Sequence, residues 1–277
     1  MPSKRKTEKN RKMRISRFIS LLTIPFLLAT TTLPAAAREK DSDKIVVVLD
    51  PGHGGKDFGA VDNGANEKSI NLAVAKKVAA LVEKKLKDVK VVMTRTTDTY
   101  LTLQQRADVA NNAHGDLFMS IHVNSVDKKN KNRRKVAGSS VYVLGLHRDQ
   151  DNMKVAMREN SVIELESDYK EKYSGFDPSK DESYIIFEMA QKRNLGESIR
   201  VAGDAQNELV KTAGRANRGV RQAGFWVLWA TSMPAVLVEL DFICNPESVK
   251  CMTSDEGTDK LAESLFNSIK KFVERHS

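Results

Sequence analysis

The sequence predicts an α/β fold, namely a single open, mostly parallel twisted sheet with helices on both faces and a charged helical insertion. Short runs of β-favouring apolar residues alternate with segments of helical periodicity, which is the pattern of βαβ units. The strand-like runs are apolar throughout, as expected for strands buried on both faces. A charge-dense stretch at about 149–195 interrupts this alternation and defines the insertion.

The first predicted strand, 45–49, consists of five consecutive apolar residues. Pro51 ends it, and the glycines on either side of His53 allow the backbone to turn sharply. Ligands of open α/β sheets bind at the carboxyl ends of the strands. The sequence therefore places His53 at the edge of the sheet where chemistry is expected.

A helix is predicted over 66–86, where Asn66 or Ser69 is the cap, so that Glu67 lies in the first turn and close to the His53 loop. A third apolar run, 117–123, again ends on a histidine, His122. Periodicity and composition predict the remaining elements: strands at 89–94, 139–144 and 235–240, and helices at 101–114, about 181–213 and 259–273. The insertion is predicted to be helical in two pieces, broken around 174–178.

Residues 1–37 have the features of a signal peptide: a basic start, an apolar core over 18–33 and small residues at 35–37. An uncleaved membrane anchor is the alternative. A linker, 38–43, and one domain, 44–277, follow. Nothing later is apolar enough to span a membrane, so we expect a protein of the periplasm or cell envelope that is not an integral membrane protein after signal cleavage.

The net charge of +9 arises mainly in the first 37 residues, which hold eight of the 45 basic residues and one of the 36 acidic residues. The remainder carries only +2, so no nucleic-acid partner is expected. Cys244 and Cys251 can form a disulfide in an oxidising compartment. Two separate buried thiols are the other interpretation, and the sequence does not decide between them.

Four polar residues stand where predicted elements end beside the first loop: His53, Glu67, His122 and Glu239. Two histidines and a carboxylate that leave one position open are a common ligand set of catalytic zinc. Glu239 lies inside an apolar strand, where a carboxylate is expected to be paired or near a metal. As a second carboxylate, it is suited to accept a proton from water.

These segments resemble the zinc-dependent N-acetylmuramoyl-L-alanine amidases, which are cell-wall hydrolases, and in particular the division-associated type with a helical insertion. The resemblance covers about 44–147 and 196–275 and rests on four motifs: Asp-Pro-Gly-His-Gly-Gly at 50–55, Glu-Lys-Ser-Ile-Asn-Leu at 67–72, Ser-Ile-His-Val-Asn at 120–124 and Pro-Ala-Val-Leu-Val-Glu at 234–239.

The resemblance implies that 44–277 is an amidase catalytic domain that cuts the amide between N-acetylmuramic acid and the L-alanine of peptidoglycan stem peptides, in wall remodelling and daughter-cell separation. It implies that His53, Glu67 and His122 hold Zn²⁺ and that Glu239 is the catalytic carboxylate. Arg106 and Asn124 are expected to contact the substrate or to support the ligands.

The insertion resembles the extra helical segment of division-associated members, in which a glutamate reaches the zinc until an activator protein pulls the segment away. Our hypothesis is that Glu159, Glu164 or Glu166 plays this part. A substrate-binding or decorative insertion is the alternative, and both stay open. The expected partners are therefore peptidoglycan and an activator, and we expect a monomer.

Two other functions compete with the amidase prediction. A zinc peptidase that acts on the stem peptide would use the same kind of ligand set. A non-catalytic peptidoglycan-binding regulator would retain the fold without turnover.

Overall fold

The computed structural model describes residues 44–145, 150–189 and 194–277. Its strands are β1 Ile45–Pro51, β2 Val61–Asp62, β3 Ala65–Asn66, β4 Val89–Met93, β5 Leu117–Asn124, β6 Ser139–Leu144, β7 Asn217–Ala223 and β8 Ala235–Phe242. Its α-helices are α1 Glu67–Lys85, α2 Leu103–Asn112, α3 Gln150–Asn160, α4 Tyr169–Lys172, α5 Ile186–Met189, α6 Leu195–Lys211, α7 Trp226–Trp229, α8 Pro246–Thr253 and α9 Asp255–His276.

Six strands form one sheet in the order β4-β1-β5-β8-β6-β7, while β2 and β3 form a small separate hairpin. All neighbours in the large sheet are parallel except β6 and β8, which are antiparallel. The predicted α/β class with a mostly parallel sheet is therefore confirmed. The short β2–β3 hairpin lies within 56–66, which the sequence predicts to be a loop.

The two faces of the sheet are covered differently. One face packs an aliphatic core against α1, α6 and α9. The other face carries an aromatic core that includes Tyr142, Phe225 and Trp226 and is covered by α2, α7 and the insertion. The insertion therefore belongs to the same packed body as the sheet and shares its core.

The short helices α7 and α8 were not predicted, and β7 and α6 also differ from the sequence prediction. The edge strand β7 was not predicted, because its residues are largely polar and exposed and give no apolar run. The predicted helix over 181–213 begins only at Leu195 as α6; before it come a 3₁₀ turn, Asp181–Ile185, and the short α5. Tyr184 and Phe187 in that stretch are buried in the aromatic core, so tertiary packing overrides the helical periodicity there.

The insertion is also more fragmented than the two predicted helices. After α3 it continues as a 3₁₀ turn, Ser161–Leu165, then as α4 and an irregular stretch. The predicted break around 174–178 does fall in this irregular stretch.

Cys244 and Cys251 are both free thiols in the structure, so the two residues are separate as in the second interpretation, but only Cys244 is buried and Cys251 is partly exposed. The predicted signal peptide and linker lie outside the described residues. None of the helices in the described part of the chain has the length and apolar character needed to cross a bilayer.

Candidate active site

The His53 turn follows β1 at the carboxyl edge of the sheet. His53 has φ 61°, which a non-glycine residue adopts only where the surroundings hold it. Two buried arginines keep the turn in this conformation. Arg95 donates to the Pro51 carbonyl at 2.8 Å, and Arg106 donates to the Pro51 and His53 carbonyls at 3.0 and 2.7 Å. The turn is thus fixed by guanidinium groups that lie behind it.

Close packing and one carboxylate orient the imidazoles. A Cβ atom on Gly52 would lie 2.3 Å from the His122 ring, so only glycine allows this approach. Nδ1 of His53 lies 2.7 Å from Oδ2 of Asp57. A carboxylate on one ring nitrogen fixes the tautomer and leaves the other nitrogen, here Nε2, available as a ligand.

Glu67 begins α1, where Asn66 caps the helix by accepting from the Ser69 amide. The Glu67 carboxylate is fully buried and receives two backbone amides, Ala60 N at 2.8 Å and Val123 N at 2.9 Å. These amides and the helix N-terminus stabilise its charge away from water. Glu67 therefore lies where the helix start meets the end of β5.

His122 and Glu239 are direct neighbours in the sheet. His122 of β5 pairs with Glu239 of β8, and Glu239 pairs in turn with Ser140 of β6. Paired residues of adjacent strands project from the same face, so the three side chains form a row on the face that the insertion covers. His122 is 5% exposed and Glu239 is 0% exposed.

Four buried residues converge at this point: His53, Glu67, His122 and Glu159 of α3. Their potential ligand atoms all lie within 4.8 Å of one another. Nε2 of His53 lies 3.1 Å from both Glu67 Oε1 and Glu159 Oε2, and Nδ1 of His122 lies 3.0 and 3.1 Å from the same two oxygens. Imidazole and carboxylate groups at these separations form a set that fits a zinc ion.

The described residues leave His53 Nε2 and Glu159 Oε2 without a hydrogen-bond partner of correct geometry, although the two atoms are only 3.1 Å apart. Buried polar atoms are normally satisfied, so two such atoms that converge without bonding indicate ligand positions around a cation. This observation, together with the donor types, is the reason that a metal fits the site.

The buried charges shift each other's titration. Burial lowers the pKa of His122, but the negative charge of Glu159, which lies 3.1 Å away, and the hydrogen bond to Glu67 outweigh it and raise that pKa to about 9. Burial raises the pKa of Glu159, but Arg158 and His122 bring it well below its usual range. Burial also raises the pKa of Glu67, but the charge of His53 and the hydrogen bond from His122 bring it well below its usual range. Both carboxylates of the group are therefore ionised near neutral pH, which is the form that binds a metal ion.

Glu239 behaves differently from the two carboxylates of the group. Burial and the negative charge of Glu159 raise its pKa to about 8, against the lowering effect of Arg158. Its Oε1 lies 3.4 Å from an Arg158 nitrogen, and its Oε2 has no hydrogen-bond partner among the described residues. A carboxyl group with such a pKa can hold and release a proton near neutrality.

Of the three glutamates proposed for the insertion, only Glu159 reaches the histidines. Glu164 is exposed. Glu166 is buried, but it accepts a hydrogen bond from the Tyr173 hydroxyl at 2.7 Å and lies 3.2 Å from Lys172, within the insertion itself. Neither Glu164 nor Glu166 therefore reaches the two histidines in this structure.

Arg158 links the insertion to the sheet edge. It donates to the Ser125 carbonyl at 2.7 Å and to Asn124 Oδ1 at 3.3 Å, besides its contact with Glu239. Asn124, predicted as a substrate contact or support, thus holds the insertion in this conformation. Arg106, predicted with it, supports the His53 turn.

Sequence reasoning did not single out two residues of this site. The only indication of Asp57 in the sequence is its position, because it is a carboxylate four residues after His53 in a polar loop. The sequence gives no indication of Arg158, because this residue lies in a stretch dense with charge and its contacts depend on where α3 docks.

The chain matches the N-acetylmuramoyl-L-alanine amidase family model over residues 47–271. It is 32% identical to the amidase AmiA of Salmonella typhimurium over 234 residues, which is 83% of this chain and 77% of that protein. It is also 32% identical to YqiI of Bacillus subtilis, an uncharacterised protein, over 90% of this chain and 94% of that one.

Solved structures of amidases also match this chain. An amidase of Clostridium difficile matches with a TM-score of 0.62 at 26% identity, over 85% of this chain and 100% of that chain. AmiC2 of Nostoc punctiforme matches with a TM-score of 0.59 at 30% identity, over 83% and 98%. Together with the buried His/Glu group, these matches confirm the resemblance drawn from the motifs. The chain belongs to the N-acetylmuramoyl-L-alanine amidase family and is a hydrolase of that kind.

Proposed function

We propose that the protein is an exported zinc amidase that hydrolyses the bond between N-acetylmuramic acid and L-alanine in peptidoglycan during wall remodelling and daughter-cell separation. The observation that carries this proposal is the convergence of His53, Glu67 and His122 beside the buried Glu239. His53, Glu67 and His122 would hold the ion. A bound Zn²⁺ ion would supply a Lewis acid that polarises the scissile carbonyl.

The chain's own residues supply the remaining chemistry. Glu239 accepts a proton from the attacking water and returns it to the leaving amine, a role that its position beside the ligand group allows. Asp57 keeps His53 Nε2 directed at the ligand group, while Arg106 and Arg95 prevent the turn from relaxing.

Mass spectrometry of digested cell walls tests the activity. Free stem peptides that begin with alanine are expected from the zinc-loaded protein. The Glu239→Gln variant should retain about one zinc ion per chain and lose activity by about 10²-fold or more. Fragments cut inside the stem peptide would instead indicate the zinc peptidase. Zinc-free, wall-bound protein without turnover would indicate the binding regulator.

We further propose that α3 holds the enzyme in an inhibited state and that an activator protein releases it. Glu159 occupies the position where substrate or water would otherwise reach the ligand group, and Arg158 pairs with Glu239 from the same helix. Two adjacent residues of the insertion therefore engage both halves of the catalytic machinery. This double engagement supports inhibition over a merely decorative insertion.

Substitution of the inhibitory residue tests the second proposal. Glu159→Gln removes the charge that faces the two histidines, and charge-assisted contacts of this kind contribute about 1.5–3 kcal/mol. Wall hydrolysis without activator is therefore expected to rise about tenfold or more. Glu164→Gln is the matched control because it removes an exposed charge from the same segment. Equal rates for wild type and Glu159→Gln, both zinc-loaded, would refute inhibition by Glu159.

A further inference from the structure

A groove with a volume of about 750 Å³ begins at the candidate active site and runs outward across the sheet. Asn124 and Arg158, which contact each other beside Glu239, form its inner end. Ser140 and Tyr142 of β6 lie on its floor, and β7 and α3 supply side walls. The inner end of a ligand that fills this groove would therefore lie beside Arg158, which contacts Glu239 at 3.4 Å.

The groove is basic. Its lining includes six lysine or arginine residues but only two acidic residues, Asp127 and Asp151; the basic residues are Lys128, Arg133, Lys154, Arg158, Arg218 and Arg221. Arg133 pairs with Asp62, and Arg158 pairs with Glu159 and Glu239. Arg218 and Arg221, by contrast, form no ion pair with any carboxylate in the part of the chain that the structure describes.

The two unpaired guanidinium groups are nevertheless positioned by the fold. Arg218 lies over the Phe242 ring at 5.0 Å and donates to the Ala137 carbonyl at 3.4 Å. Arg221 donates to the Arg218 carbonyl at 3.0 Å and to Asn152 Oδ1 at 2.9 Å. Each keeps further N–H groups for a ligand, and the planar fork of arginine matches a carboxylate in two parallel hydrogen bonds.

We propose that this groove binds an acidic peptide, the stem-peptide side of the scissile amide, and that Arg218 and Arg221 bind its carboxylates. This inference rests on the proposed amidase function, because hydrolysis places a peptide on one side of Glu239. The groove begins at Asn124 and Arg158 next to Glu239, has room for several peptide residues, and carries the positive charge of Arg218 and Arg221, which no carboxylate of the described residues neutralises. Arg218 and Arg221 thereby determine a preference for free over amidated stem peptides.

The test measures binding to the full chain carrying Glu239→Gln, so that no turnover is needed. The probes are a synthetic tetrapeptide with a leading alanine and two free side-chain carboxylates, and the same peptide with both groups converted to carboxamides. The acidic peptide is expected to bind about tenfold more tightly, since each charged hydrogen bond contributes appreciably. The preference should persist with a chelator present, which separates arginine contacts from carboxylate binding to a metal.

Combined Arg218→Gln and Arg221→Gln substitution should abolish the preference, and lysine at both positions should restore it only partly because the fork is lost. Arg200→Gln is the matched control, because it removes an exposed guanidinium from α6 on the opposite face of the sheet. Thermal melting establishes that each variant is folded.

Equal binding of the two peptides, no binding of either, or a preference that survives the double substitution would overturn the proposal. Tighter binding of an oligomer of glycerol phosphate through the same two arginines would also overturn it and assign the groove to a phosphate polymer. Because the assay uses an inactive variant, its outcome is independent of whether the amidase assay succeeds.

Discussion

Asp50 shows how one buried residue stabilises the edge of the sheet that carries the site. It accepts hydrogen bonds from the Thr94 hydroxyl at 2.6 Å, from Arg106 at 2.8 Å and from the Ser120 hydroxyl at 2.8 Å. Burial raises its pKa, but Arg106 and the hydroxyl donors outweigh burial and bring that pKa below the ordinary 3.8. Asp50 is thus ionised and fully satisfied inside the protein.

Substitution of Asp50 by asparagine is expected to lower the free energy of unfolding by about 3–5 kcal/mol, because it leaves the Arg106 charge buried without its partner. Chemical denaturation at neutral pH measures the change. Asp108→Asn, an exposed position on α2, is the control and should change stability by less than about 0.5 kcal/mol.

The same residue gives a pH dependence. Because the folded-state pKa of Asp50 lies below its unfolded value, its contribution is present above about pH 4 and is lost as pH falls through the folded pKa. The stability of the wild type is therefore expected to fall more steeply below pH 4 than that of Asp50→Asn. Parallel acid-denaturation curves for the two proteins would show that Asp50 is not the responsible group.

At the scale of secondary-structure elements, the docking of α3 decides whether Glu159 reaches the site. Asn160 at its end anchors the helix: its amide group donates to the Gly224 carbonyl at 2.7 Å and accepts from the Trp226 amide at 2.9 Å. Both contacts are buried, so they are costly to lose. The two partners of Asn160 lie just before and at the start of α7, and neither is a proposed metal ligand.

Asn160→Ala is expected to loosen α3 and to raise activator-free hydrolysis several-fold, with faster amide hydrogen exchange across 150–189. Asn207→Ala, at an exposed position of α6, is the matched control. Unchanged exchange in the insertion of the Asn160 variant would show that the aromatic contacts alone hold α3 in place.

At the scale of the whole molecule, the two faces of the sheet support different parts of the structure. The aliphatic face under α1, α6 and α9 forms the larger core. On the other face, the Phe187 ring centroid lies 5.4 Å from that of Phe176 and 6.0 Å from that of Trp229, so aromatic contacts bind the insertion to α7. The insertion thus packs on the aromatic core, and its described residues, 150–189, make no part of the aliphatic core.

This division predicts unequal effects of two matched truncations. Phe272→Ala, in α9, is expected to lower global stability by about 3–5 kcal/mol. Phe187→Ala should instead accelerate hydrogen exchange and proteolysis mainly within 150–189 and leave the exchange of β1 and β5 near wild type. Equal loss of protection in β1 and in the insertion of the Phe187 variant would contradict the separation.

The sequence by itself determined the class of fold, the central strands and the family. Uninterrupted apolar runs have few ways to be buried, and the motifs around His53, Glu67, His122 and Glu239 are local. Since the carboxyl ends of parallel strands meet at one edge, even the proximity of these residues follows from the strand pattern.

Only the tertiary structure decided the rest. It selected Glu159 from three glutamates, gave Arg158 and Asp57 their contacts, made β7 a strand despite its polar residues and divided the helix predicted over 181–213. Each of these depends on contacts between residues far apart in the chain, where packing of the aromatic core outweighs local propensity. The local sequence pattern could not predict these features, because each one depends on residues from distant parts of the chain that pack against it in the fold.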